Sequence, residues 1–306
     1  MNATTVVFAL LAALSNASAS VLQRRAATDE SASGSGVRQA LRWLVRLLRR
    51  PYWIAGAGLL ALSTVFQAAA LAVGSLSLVQ PLLASELLFT LAVGSVVFRH
   101  RPDGRTWGAF AALAVGLALF LGAASPSEGV PTTEPGGWLA VGAAVLGTVA
   151  AVLAASRLVR GAARAALLGL ASAVSFAATA ALLKEVMGRL GHGVVGLLTQ
   201  WPPYAVLVAG GVSFLLLQSA FRAGSLTASQ PALTLGDALA SVVLGWVLFQ
   251  EHIGLGVRVL PELVGVALIG AGAVGLAGAA AGDAWDAGPD ERGAGSGGRR
   301  TARQRF

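Results

Sequence analysis

The chain contains no cysteine, which removes disulfides, thiolate catalysis and Cys-ligated zinc or iron–sulfur sites from the functions open to it. Charge is scarce as well. Only 12% of the 306 residues are Asp, Glu, Lys or Arg, about half the share of a typical soluble domain. Three histidines, His100, His192 and His252, fall in predicted loops without metal-ligand spacing. No nucleophile and base, and no set of metal ligands, converges on either face of the predicted bundle, so neither an enzyme nor a bound cofactor is expected. The net charge of +8 does not indicate a nucleic-acid partner. Its arginines gather in short polar breaks and near the C-terminus, not on one surface interleaved with aromatics.

What is present is apolar: 56% of the residues are hydrophobic, arranged in runs of about 20, the length that crosses a bilayer core as a helix. The expected fold is an all-α integral membrane protein with about nine spans. They are placed near 4–23, 52–73, 76–98, 105–124, 137–155, 165–183, 203–221, 225–249 and 260–281. The first run carries no positive charge ahead of it, whereas Arg24 and Arg25 follow it, so it reads as a retained span and not a cleaved signal. Lys and Arg in short loops stay cytoplasmic. With nine spans, nineteen of the 22 basic residues fall on one side and only Lys184, Arg189 and Arg258 on the other. The N-terminus is therefore expected outside and the C-terminus inside, in a multi-pass protein of the inner or plasma membrane.

Between the first two spans, residues 28–37 have the Ser/Gly composition of a linker. In the following stretch, 37–50, Arg38, Arg42, Arg46, Arg49 and Arg50 recur at helical spacing against Leu41, Trp43, Leu44 and Leu48. That pattern describes an amphipathic helix on an anionic lipid surface, or a basic flank that only sets topology. Residues 283–306 have almost nothing to bury and are expected to form a disordered cytoplasmic tail.

Self-similarity is the strongest signal. Gly74-Ser75-Leu76-Ser77-Leu78-Val79-Gln80-Pro81 returns as Gly224-Ser225-Leu226-Thr227-Ala228-Ser229-Gln230-Pro231. A Gln precedes each copy, Gln67 and Gln218, and Leu14-Ser15-Asn16-Ala17 has a fainter counterpart in Val174-Ser175-Phe176-Ala177. The repeat thus covers spans 1–4 and 6–9. Its first copy, with the fifth span, occupies 1–155, and its second occupies 160–282. Five spans separate the two starts, and an odd number inverts the second copy in the membrane. Inverted repeats of this kind place substrate sites near the midplane at their interface.

Pro81 and Pro231 each remove an N–H inside a span and are expected to kink it. Gln80 and Gln230 beside them either satisfy the freed carbonyls or face a substrate. Glu86 and Asp237 lie mid-span, where a charge costs at least about 2.5–3.5 kcal/mol, so both are candidates to bind a metal cation or carry a coupled proton. Asn16, Gln67, Gln80, Gln218 and Gln230 are candidates to line the path. The alternative is that each acid is buried neutral and hydrogen-bonded between helices. Lys184, Glu185 and Arg189 read as interfacial snorkelling and a local ion pair, and 186–201 as a lid or re-entrant piece. Small residues at Gly108, Ala112 and Gly116, and at Ala267, Ala271 and Gly275, permit close helix packing, within the bundle or in a homodimer.

The two Gly-Ser-Leu-[Ser/Thr]-x-x-Gln-Pro hairpins, the first span closing on Gln23-Arg24-Arg25-Ala26 and the inverted halves resemble the drug/metabolite transporter superfamily with its EamA-type repeats. The resemblance covers about residues 4–281. Nine spans with an outward N-terminus, and the stretch Leu78-Val79-Gln80-Pro81-Leu82, look more like its NIPA-type magnesium transporter branch. Gln80 departs from that branch, which carries a Thr before its Pro. The resemblance implies a secondary transporter of a small metabolite or drug, or alternatively of Mg²⁺. A membrane scaffold that recruits partners through 37–50 and the tail is the reading from another class.

Overall fold

A computed structural model describes residues 3–28, 50–98, 103–123, 129–223, 226–251 and 259–286; most of the linker and amphipathic segment over 28–50, and tail residues 287–306, lie outside it. Every regular element among the described residues is helical. The longer ones are α1 (Ala3–Thr28), α2 (Pro51–Val73), α3 (Leu76–Leu83), α4 (Glu86–Phe98), α5 (Gly104–Ala123), α6 (Pro135–Leu158) and α7 (Gly161–Gly188). After a 3₁₀ turn at Leu190–His192 come α8 (Val194–Leu198), α9 (Pro202–Ala223), α10 (Leu226–Phe249) and α11 (Val259–Asp286). Among the described residues, seven segments, with α3 and α4 counted as one, are long and apolar enough to cross a membrane. The apolar parts of α5 and α11 are shorter, Gly104–Phe120 and Leu263–Leu276. This is a helical membrane protein.

Helix starts follow local chemistry. Arg50 and Glu134 are extended and are followed by Pro51 and Pro135, the first residues of α2 and α6, where the missing proline N–H has no intrahelical partner to lose. Asp103 opens α5 by accepting hydrogen bonds from the Thr106 hydroxyl (2.5 Å) and backbone N–H (2.8 Å). Those bonds, the hydroxyl's first, hold the exposed Asp103 carboxyl below its ordinary range.

Lipid supplies no hydrophobic force between helices, so close packing must come from small side chains. The central helix α7 buries Ala165, Ala171, Ala173, Ala177, Ala180 and Ala181, and it carries α6, α9 and α10. In the other half α1 buries Ala9, Ala12, Ala13 and Ala17 and packs on α2, α3 and α4. Ser63 of α2 donates to the Ala12 carbonyl (2.8 Å). On α9, Ser213 donates to Ser175 (2.8 Å) and its carbonyl accepts from Ser172 (3.0 Å). The third large contact joins α5 to α11, where a Cβ on Gly116 would lie 2.7 Å from the Gly265 carbonyl oxygen and one on Gly275 2.5 Å from the Ala109 Cβ. Gly116 and Gly275 therefore serve packing inside the chain. Gly108 meets nothing within 4 Å.

The two prolines behave differently from the symmetric expectation. Helix α10 runs unbroken through Pro231. The stretch bearing Pro81 breaks three residues later, at Ala84 and Ser85, whose N–H groups bond to the carbonyls of Pro81 (3.1 Å) and Leu82 (3.0 Å) in tightened turns. Of the segment 186–201, residues 186–188 end α7, and the rest is short helical pieces separated by Gly193 at a φ of 82°.

Candidate functional site

The polar residues inside the bundle form two groups at different depths. The deeper one sits near the middle of the spans. Because the helix breaks at Ala84–Ser85, Glu86 becomes the first residue of α4. Asn16 of α1 donates to its Oε2 at 2.6 Å. Thus two expected site residues meet. Asp237 lies mid-way along α10, half-buried, and its Oδ1 is buried without a hydrogen-bond partner among the described residues. One turn on, the hydroxyl of Ser241 is in the same condition, and so is that of Ser85 beside Glu86. Buried oxygens without partners are costly in an apolar surrounding.

No hydrogen bond among the described residues joins Glu86 to Asp237. No group of three or more acid or histidine side chains able to hold a metal ion is found among those residues either. Gln80 is buried in α3, while Gln67, Gln218 and Gln230 are half-buried on α2, α9 and α10.

The second group closes the end of the bundle opposite Arg157, Arg164 and Arg222. Glu251, just past α10, is fully buried. Its carboxylate accepts from the N–H groups of Leu76 (2.7 Å) and Ser77 (2.9 Å), from the Ser77 hydroxyl (2.5 Å) and from the Lys184 ammonium (2.5 Å). It thereby caps α3 and pairs with α7. Gly245 makes room for this, since a Cβ there would strike both the Glu251 carboxylate and the Ser77 hydroxyl. Gln250 reaches a positive φ of 54° as the chain turns back, bringing the Glu251 N–H 3.1 Å from the Gly245 carbonyl.

Beside it, Glu185 accepts from Arg189 (2.6 and 2.7 Å) and from the Thr133 N–H (2.9 Å), and Arg189 donates on to Gln200 (2.8 Å). Aromatic rings cover the cations: Lys184 lies 4.7 Å from the Phe249 centroid and Arg189 6.0 Å from that of Trp201. A cavity of about 180 Å³ opens next to Lys184, lined also by Val73, Gly74, Gly129 and Pro131.

Lys184 is therefore not a snorkelling side chain, and its partner Glu251 is absent from the sequence expectations. A signal for it existed. Adjacent helical residues diverge, so Glu185 cannot serve Lys184, and a lysine so placed needs an acid from another element.

No protein-family model matches the chain, and no solved structure matches it. An uncharacterized protein of Corynebacterium glutamicum is 31% identical to it over 277 residues, which are 86% of this chain and 93% of that relative. Such similarity along nearly the whole of both proteins makes the chain a member of the same family as the corynebacterial protein.

Proposed function

We propose that the protein is a secondary transporter that moves a small organic solute across the membrane by alternating access, with nine spans in an inverted repeat. The observation that carries this reading is the set of mid-span oxygens without a hydrogen-bond partner among the described residues: Asp237 Oδ1 and the hydroxyls of Ser241 and Ser85, with Glu86 and Asn16 beside the last. A helix built only to pack has no use for a mid-span acid without a partner, whereas a site that takes up and releases a proton or solute does. In this reading Asp237 and Glu86 carry the coupling proton or meet a cationic group of the solute. Gln80, Gln230, Gln67 and Gln218 line the route.

Two features support the two-repeat part. Ser63–Ala12 and Ser213–Ser172 occupy corresponding places in the repeat and join corresponding helices. Glu251 of the second half is bonded to the start of α3 in the first. A buried ion pair adds little stability over a packed apolar pair, and its best-attested use is as a register or switch device. Here the Lys184–Glu251 pair holds the carboxylate in place within the second repeat, and its bonds from Leu76 and Ser77 of the first are the closed state of an outer gate, which parts when one repeat rocks against the other.

The test is charge movement in proteoliposomes on a solid-supported membrane, challenged with amino acids, organic cations, nucleosides, sugars and Mg²⁺ under an imposed pH gradient. A solute-dependent current that Asp237→Asn removes supports the reading. Currents with Mg²⁺ alone would replace the organic solute by the ion. Equal currents from wild type and the Glu86→Gln, Asp237→Asn double variant would refute the assigned site.

A further inference from the structure

At the arginine-rich end of the bundle a groove of about 410 Å³ opens among α6, α7 and α9. Leu153, Leu168 and Leu216 form its apolar wall, and Arg157, Arg164 and Arg222, one from each helix, stand around it. All three arginines are exposed, and among the described residues none is tied by an ion pair or a side-chain hydrogen bond. Three guanidinium groups around one concavity repel one another unless an anion lies between them. We infer that this groove binds the phosphate headgroup of an anionic phospholipid, with an acyl chain along its leucine wall.

The helices explain why the groove exists. Both α6 and α9 lean on α7. Near the far end Trp138 of α6 meets Trp201, the residue before α9, edge-on at 5.7 Å, and at the near end residues of all three helices line the groove. Their outer faces are what a lipid-facing span requires: Leu146, Leu158, Leu207 and Leu215 are 67–87% exposed. A soluble phosphate would use the arginines but leave the leucine wall bare. A zwitterionic lipid would use the wall but bring its own cation to the arginines. An anionic phospholipid uses both. Arginine suits the role because its fork can donate two parallel hydrogen bonds to phosphate oxygens.

The experiment is native mass spectrometry of the full chain, stripped of lipid and offered equal amounts of phosphatidylglycerol, phosphatidylethanolamine and phosphatidylcholine. Wild type should retain phosphatidylglycerol selectively. The triple variant Arg157→Gln, Arg164→Gln, Arg222→Gln should retain about tenfold less or lower still. Arg160→Gln, a neighbouring exposed arginine outside the groove, should bind as wild type does and shows that the loss is not a general effect of charge. Monodispersity of the triple variant on size exclusion excludes misfolding. Equal retention of the three lipids, unchanged retention by the triple variant, or displacement of the lipid by millimolar inorganic phosphate would each overturn the proposal.

Discussion

The two ends of the bundle treat positive charge in opposite ways. At one end Lys184 and Arg189 are answered by Glu251 and Glu185, both carboxylates fully buried, and aromatic rings cover the cations. At the other Arg157, Arg164 and Arg222 stand exposed around an open groove with no acid from the described residues. The same side-chain chemistry thus builds a closure where the protein supplies the counter-charge, and a docking place where the surroundings must. Removing charge should accordingly be costly at the first end and nearly free at the second.

The largest effect is expected from Glu251→Gln. The amide cannot accept all four bonds that the carboxylate takes from Leu76, Ser77 and Lys184, and it leaves a lysine whose side chain is 4% exposed without its counter-ion. Breaking a buried pair in this way costs roughly 3–5 kcal/mol, to be read as a loss of unfolding free energy in SDS titration. The double change Glu251→Leu, Lys184→Met, which removes both charges, should recover most of that loss. A double variant no better than the single would mean that the caps on Leu76 and Ser77, and not the ion pair, hold this end together.

The helices were legible in the sequence because a 20-residue apolar run between arginine-rich breaks has few other solutions; each of the nine expected stretches carries helix, and seven of the segments reach spanning length and hydropathy. The Asn16–Glu86 bond joins two residues singled out as intramembrane polar groups. Other features were hidden. Glu251 sits in Gln250-Glu251-His252, which looks like any polar loop, because its burial depends on Gly245 and on the distant start of α3. Pro81 and Pro231 occupy matching positions, yet only the first lies near a break. The difference arises beyond the prolines, in Ala84-Ser85 against the continuous Leu233-Thr234-Leu235. The arginine groove was read as topology alone, since one dimension does not reveal that three helix ends surround a single hollow.

The last comparison sets one arginine from each end side by side. Arg189 donates twice to Glu185 and once to Gln200, with 18% of its side chain exposed. Glu185 itself is fully buried and, among the described residues, keeps only the Thr133 N–H if Arg189 is lost. Arg189→Gln should therefore destabilise by about 1–3 kcal/mol, the penalty of an undercompensated buried polar group. Arg164 has no bond to lose among the described residues, and Arg164→Gln should stay within about 0.5 kcal/mol of wild type, as surface changes do. The same SDS titration measures both. Raising the salt from 0.1 to 1 M should shrink neither difference greatly, because the Arg189 pair is shielded by Trp201 and by protein more than by ions. Equal costs at the two positions would mean that Arg164 is held by a contact as strong as a buried carboxylate, and that the groove is a closed joint, not a place for lipid.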